Sequence, residues 1–592
     1  GNEALSMPAG TAARRRFAGA AAFLAMILLL LIANRGAYEG YFQDDELDNI
    51  SWTRAVPLHD FAAALASPEF SVNNFRPAGH FFFHLMERAA GLEFPPYVRA
   101  VHALHFLNVW LVWLVLRRFE LPAPAAGAGS LFFAFHMALF DAYWKPMYVF
   151  DLLCATFSLL SILFYQRRRW VPSFLALWLA YKSKEPAVML PAVLAAYEYW
   201  FSTEHGKRRW LRLAPFFAVS LCFGLQALLH RPADGDTYAM SFSPFSVATT
   251  LSFYARHVLL VPYAGFALFA LPFFVHDRRV SLGLFALLAL LTPVLLLPGR
   301  MFSAYLYLPM TGLALAFAAV AARVPPAALA AFFLLWLPFN YIRLRENRRA
   351  ALTVAQENRA YTQALLDKVA PLTDTRIFVF DGSPKSMNRW GIEGILRYAY
   401  REQIPLYRIG EPGADAKTAG NNAALLVWDP QSWTLDVVSR RTNEPLASFI
   451  RMMGPSPVWQ LREGWYGRSG HFRWTRPSAS AVLFRPAGAR HFEVVVNAGP
   501  EYMKIVGHVT LEAAIDGLVI GRREFRESGW RVTRWDLPPA PPGDVTVTFR
   551  ADPPCCPGDA NPKALGIPIG AFGFRMGGEP LEDAVPAAAR NR

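Results

Sequence analysis

The chain has 592 residues, of which 54% are hydrophobic, 14% aromatic and only 18% charged. An average soluble domain carries about 25% charged residues, so part of this chain avoids water, and disorder, collagen, a coiled coil and a disulfide-stapled miniprotein are all excluded. The formal net charge of +14 does not point to nucleic acid, because Arg14-Arg15-Arg16, Arg117-Arg118, Arg167-Arg168-Arg169 and Lys207-Arg208-Arg209 sit at the ends of apolar runs, where basic residues orient a membrane protein.

A helix needs about 20 mostly apolar residues to cross a bilayer. The first such run, Phe17 to Ala33, follows three arginines and has no small-residue cleavage site at the usual distance. It reads as an uncleaved first span rather than a removed signal peptide. Further spans are predicted to begin near Tyr97, Pro122, Met147, Trp170, Pro186, Leu211, Ser252, Val280, Ala304 and Ala327, and the last ends near Tyr341, about eleven spans in all. With the amino terminus inside, the Arg117, Arg167, Lys207 and Arg278-Arg279 loops fall inside. The loops holding Asp44-Asp45, Lys145, Lys182 to Lys184 and Arg300 fall outside, as does the carboxy-terminal region. Arg343, Arg345, Arg348 and Arg349 on that outer side run against the rule. Cys154 and Cys222 lie in apolar runs and read as buried packing.

The predicted fold class is therefore a polytopic α-helical membrane protein followed by an α/β plus β-sandwich region. The membrane part covers residues 1–342. In residues 343–460, short apolar runs at Arg376 to Asp381 and Ala423 to Trp428 flank a helical spacing at Trp390 to Tyr400, which predicts a small α/β domain. In residues 461–592, strands near Val482, Phe492, His508, Trp530 and Val545 are separated by turn signals and predict a β-sandwich, jelly-roll-like. Its aromatics Trp465, Tyr466 and Trp474 suit either a core or stacking on sugar rings.

Four clusters carry chemistry. The first outer loop opens Gln43-Asp44-Asp45-Glu46-Leu47-Asp48, with four acids in five positions. Such acids raise one another's pKa or hold a cation, and one of them can remove a proton from an acceptor hydroxyl. Farther on, Asn73-Asn74-Phe75-Arg76-Pro77 leads to His80 and His84, which share a helix face. The pair suits either hydrogen-bonded interfacial histidines or, with Asp44, a divalent metal ion; no cofactor is demanded by the residues. Third, Tyr181-Lys182-Ser183-Lys184-Glu185-Pro186 sits between two apolar runs, where ionisable groups are costly and usually functional. Lys182 and Lys184 there can neutralise a phosphate. Fourth, Arg300 precedes Tyr305 and Tyr307 at an outer helix start, and Arg suits bidentate phosphate recognition.

These clusters in this order, the acidic pair, Asn-Phe-Arg-Pro, Ser183-Lys184-Glu185 before Leu190-Pro191, and Arg300 with Tyr305 to Pro309, resemble the GT-C glycosyltransferases. The likeness covers residues 17 to about 342 and is to the protein O-mannosyltransferase-like branch and the TPR-bearing transmembrane O-mannosyltransferases. Helical repeats are missing after the membrane part, so the acceptor of those relatives does not carry over. The stretch from Gly464 to Trp474 more loosely resembles β-sandwich modules of bacterial envelope glycosyltransferases. The resemblance implies a sugar, a hexose such as mannose, transferred with inversion from a polyprenyl-phosphate carrier to a protein, glycolipid or polysaccharide acceptor. It implies a multi-pass protein of the bacterial inner membrane, in contact with membrane lipids, with its carboxy-terminal domains extracytoplasmic. Asp44 and Asp45 are then the catalytic candidates, Lys182, Lys184 and Arg300 the donor-phosphate ligands, and Arg76, Glu185, Tyr305 and Tyr307 supporting groups. The rival readings are a lipid-linked glycan transporter, which should carry polar groups in mid-span, and a non-enzymatic glycan-binding membrane protein.

Overall fold

The computed structural model describes residues 9–69, 75–204, 206–229, 237–409, 411, 418, 421–441, 444–453, 456–555 and 564–577. They fall into two compact units, Gly1–Ala355 and Gln356–Arg592.

The first unit is helical, and a helix stands at or close after each predicted span start. Five helices are long and apolar enough to cross a bilayer: Phe94–Arg118, Pro146–Gln166, Lys207–Leu229, Arg278–Leu295 and Pro326–Val369. Ala123–Ala134 and Met137–Trp144, bent by 46°, make a sixth candidate as one broken span. Gly19–Ala33, Trp170–Tyr181, Ala264–Phe274 and Pro309–Ala321 are apolar but shorter. Among the described residues the other predicted spans are thus shorter helices or broken runs. Proline is one cause. It lacks an N–H and interrupts a continuous helix, so the run at Pro186 divides into a 3-10 turn, Glu185–Met189, and a helix, Leu190–Phe201. Likewise the run at Ala304 divides into Ser303–Leu306 and Pro309–Ala321.

The outward faces of these helices are apolar. Leu211, Leu221, Leu225, Leu334 and Leu335 are all exposed, an apolar surface of the kind that marks contact with lipid or another apolar partner. Cys222 is also exposed, contrary to its expected burial, whereas Cys154 is buried. Inside, helices approach through small residues. A Cβ on Gly283 would stand 2.5 Å from the Gly312 carbonyl oxygen and 2.8 Å from the Ala316 nitrogen. Backbone cannot yield as a side chain can, so Gly283→Ala should cost about 1–3 kcal/mol through overpacking, read as a lower thermal unfolding midpoint in detergent.

The predicted boundary at 342/343 falls inside Pro326–Val369. The Arg-rich run that signals the end of a span consists of good helix formers, and the helix continues through it. The second unit then builds a sheet from β1 (Ile377–Asp381), β2 (Leu406–Arg408), β3 (Ala423–Asp429) and β4 (Thr434–Arg440), ordered β2-β1-β3-β4. The first two pairings are parallel and the last is antiparallel. Helix Arg389–Tyr400 connects β1 to β2, as a parallel crossover requires.

The remaining strands are β5 (Phe449–Arg451), β6 (Trp465–Ser469), β7 (Phe472–Thr475), β8 (Ser478–Arg485), β9 (His491–Ala498), β10 (Val509–Ile515), β11 (Leu518–Phe525), β12 (Gly529–Asp536), β13 (Gly543–Asp552) and β14 (Pro568–Arg575). They form two sheets, β11-β10-β13-β8 and β12-β9-β14-β7-β6, with β5 paired to β14. The β10–β11 turn places Asp516 at φ 45° and Gly517 at φ 82°, the two left-handed positions of a tight hairpin. Leu425, Val427 and Val438 of the α/β sheet join Phe492, Val494, Phe549 and Phe572 in one core, so the α/β sheet and the sandwich, predicted as two domains split at 460/461, pack as one unit. Trp465 stacks on Phe572 at 5.6 Å and Trp474 meets Tyr502 at 5.2 Å; both take the core reading, and the Tyr466 hydroxyl donates to the Ala564 carbonyl.

Candidate active site

The site lies in the first unit and starts from a helix cap. Asp44, Asp45 and Glu46 occupy the first turn of helix Asp44–Thr53, where Gln43 and Glu46 form a capping box. The positive end of the helix dipole offsets the repulsion among these acids. Glu46 is fully buried. Its carboxylate accepts the Gln43 N–H at 2.5 Å and the Met147 N–H at 2.9 Å, tying the acidic loop to the start of Pro146–Gln166. Burial pushes the Glu46 carboxyl up to about 7, against the backbone donors and the Lys145 charge, which pull it down. Glu46 thus takes up a proton on folding, and this contribution to stability is lost as pH rises from about 4.5 to about 7. The stability advantage of the parent over Glu46→Gln should accordingly be larger at low pH, by about 1–3 kcal/mol across that window, as read by thermal melts at pH 5 and pH 7.5.

Asp45, unlike Glu46, is only partly buried and lies in the combined field of Arg300, Arg76 and Lys184. Burial raises its pKa, and the three cations, Arg300 foremost, offset only part of that rise. Each cation has its own mooring. Arg76 Nε donates to Glu185 Oε1 at 2.8 Å. This pairing holds the Glu185 carboxyl below its usual range although burial pushes it up. Lys184 Nζ stands 2.6 Å from Asp151 Oδ2, both buried, and 4.3 Å from the centre of the Tyr305 ring. Arg300 Nε donates to the Tyr305 hydroxyl at 3.2 Å, and its guanidinium lies 4.1 Å from the Tyr238 ring centre. Arg300 is thus held by tyrosines in place of a carboxylate.

Asp45, Arg76, Lys184, Glu185, Arg300 and Tyr305, from four distant stretches, therefore come together. Lys182 does not join them. Its ammonium donates to the Glu69 carbonyl at 3.2 Å and lies over Trp178 and Phe223. Tyr307 is buried in the bundle, its hydroxyl 2.7 Å from His105 Nδ1 and 3.3 Å from Asn108 Nδ2. Asp44 is buried at the first helical position. Asn73 and Asn74 lie outside the described residues.

The histidine pair follows the hydrogen-bonded alternative. His80 Nδ1 accepts the Arg76 N–H at 2.8 Å and His84 Nδ1 donates to the Thr53 carbonyl at 2.9 Å. Burial, reinforced by the Arg76 charge, pushes His80 down to about 3. Among the described residues no three His, Cys, Asp or Glu side chains are grouped to hold a metal ion, so Asp44, His80 and His84 are not gathered as a ligand set. Sequence reasoning passed over Asp151, Tyr238 and the anchoring role of Glu46. Asp151 carries a usable signal, a lone acid inside the apolar run Val149 to Leu153; Tyr238 carries none.

At the other ends of the same helices the basic loops meet. Glu204 pairs with Arg168 at 2.7 Å and Arg212 at 2.6 Å, Asp277 pairs with Arg323 at 3.0 Å, and Arg278 donates to the Trp200 carbonyl at 3.3 Å. The acid-and-cation site and the Arg-rich loops thus occupy opposite ends of the helices.

No family model and no curated protein matches the chain. Among solved structures it is similar to the arabinofuranosyltransferase AftD from Mycobacteria, at 12% identity and a TM-score of 0.39, over 95% of this chain and 59% of that one. It is also similar to ArnT from Cupriavidus metallidurans in the apo state, at 14% identity and a TM-score of 0.43, over 70% of this chain and 97% of that one. With ArnT bound to undecaprenyl phosphate the identity is 12% and the TM-score 0.41, over the same shares. The chain spans about three-fifths of the AftD chain that it matches.

Proposed function

We propose that this chain is a GT-C-type integral membrane glycosyltransferase, moving a sugar, a hexose such as mannose, from a polyprenyl-phosphate donor to an extracytoplasmic acceptor with inversion. The observation that carries the reading is that Lys184 and Arg300 meet at Tyr305, next to the Arg76–Glu185 pair, with Asp45 in the field of all three cations, at one end of apolar helices. A carboxylate whose pKa is raised by burial is a better base than an exposed one, and three cations beside it suit a phosphate.

In this reaction the acceptor hydroxyl oxygen attacks the anomeric carbon from the face opposite the phosphate. The bond from that carbon to the phosphate oxygen breaks, and the hydroxyl proton passes to Asp45. Negative charge disappears from Asp45 as it appears on the departing phosphate. Cations that the carboxylate attracted before the step are then released to the leaving group, so they bind the transition state more strongly than the ground state. Arg300, moored by phenol and ring rather than by an acid, is the cation free to grip the phosphate with both edges. Arg76 and Lys184 keep their partners Glu185 and Asp151 and act mainly through their field.

The test is transfer from radiolabelled polyprenyl-phosphate hexose by purified protein in detergent, with envelope extracts as acceptor. Label should appear in acceptor material and free polyprenyl phosphate should accumulate in equal amount. Absence of both products from every donor in a panel of polyprenyl-phosphate sugars would end the proposal.

A further inference from the structure

The basic end of the first unit holds an arrangement that sugar transfer does not use. Glu204, which pairs with Arg168 and Arg212, ties the run Arg167-Arg168-Arg169 to the segment that holds Lys207, Arg208, Arg209 and Arg212. The other nearby acid, Glu198, is 1% exposed and accepts the Tyr165 hydroxyl at 2.9 Å, so it does little to neutralise the surface. Arg209 reaches inward to the Glu198 and Glu204 carbonyls at 3.5 and 3.4 Å, and its buried Nε has no hydrogen-bond partner. Indole rings lie beneath the guanidiniums: Trp170 under Arg168 and Arg212 at 5.8 and 5.1 Å, and Trp210 under Arg209 at 4.8 Å. Beside these rings the surface is apolar and open, with Val171 70% and Leu211 67% exposed, and it continues about a turn farther at Leu175, 57% exposed.

Net positive charge, tryptophans at the level of that charge and an apolar strip starting beside it match the layers of one ligand class. We propose that this corner binds the headgroup of an anionic phospholipid, the phosphate between the Arg167–Arg169 and Lys207–Arg212 segments and the acyl chains along Val171, Leu175 and Leu211. Basic pockets between membrane helices hold acidic headgroups by this combination of charge and apolar contact, and tryptophan prefers the interface. A free phosphate would meet the cations but would leave the apolar strip uncovered.

The test uses the whole chain in neutral detergent and does not depend on the transfer reaction. Native mass spectrometry and thermal melts are run with phosphatidylglycerol, with phosphatidylcholine and with inorganic phosphate. Phosphatidylglycerol should be retained and should raise the unfolding temperature, and the other two should do neither. Lys207→Gln combined with Arg208→Gln, both exposed in the parent, should weaken phosphatidylglycerol retention roughly 30-fold, the effect of two interfacial cations at about 1 kcal/mol each. The unfolding temperature in detergent alone should stay the same. Equal retention of phosphatidylcholine, full stabilisation by inorganic phosphate, or undiminished retention by the double variant would each overturn the proposal.

Discussion

Asp45→Asn is expected to lower the transfer rate by about 10²–10⁴-fold, the usual contribution of a general base, while the protein folds and still binds donor. The amide keeps the size of the side chain and the helix start but cannot take the acceptor proton. It also removes a negative charge, beyond those of Glu185 and Asp151, from the shared field of Arg76, Lys184 and Arg300, so donor affinity should hold or improve. The loss should therefore fall on kcat rather than KM. In the parent the rate should rise with pH through a value above the ordinary carboxylate range, because burial raises the Asp45 pKa; the variant should lose that limb. A variant with parental kcat would remove Asp45 from the chemistry.

The second large effect is expected at Lys184. Its ammonium and the Asp151 carboxylate are both buried and 2.6 Å apart. Removing one member of such a pair strands the other charge away from water, at a cost of about 3–5 kcal/mol. Lys184→Met should thus lower the unfolding midpoint sharply and abolish transfer together, which alone would not separate structure from chemistry. The double variant Lys184→Met with Asp151→Leu separates them. Replacing both charges with apolar groups should restore most of the stability, because the desolvation of Asp151 disappears with it. Transfer should remain lost, because the field that favours the departing phosphate has lost a cation. If the double variant recovers both stability and transfer, Lys184 is a packing residue only.

Much of this protein is legible along the chain. The strands β1 and β3 and the helix between β1 and β2 stand where the apolar alternation and helical spacing place them. Strands β2, β6 and β7 are short, three to five residues, too few to show a period of two against the background. The long helix Pro326–Val369 hides its continuation because its arginines look like the end of a span although they favour helix. The breaks within apolar runs are hidden for a related reason: average hydropathy over a window does not register a proline that turns the first residues of such a run into a separate 3-10 turn.

The candidate site divides along the same line. By itself the sequence determined that apolar helices carry basic loops at one set of ends and Asp45, Arg76, Lys184 and Arg300 at the other, because charge avoids the apolar interior and must collect where the runs stop. Tertiary structure alone decided which charges meet. Lys182 and Lys184 are two positions apart, yet only Lys184 reaches Asp151 and the Tyr305 ring, since the chain turns between them at the end of helix Trp170–Tyr181 and sends the first ammonium to the Glu69 carbonyl. Asp151, invisible as a partner in the sequence, is placed against Lys184 by the packing of Pro146–Gln166. Electrostatic energy depends on distance in space, and the chain specifies that distance only once its helices have packed.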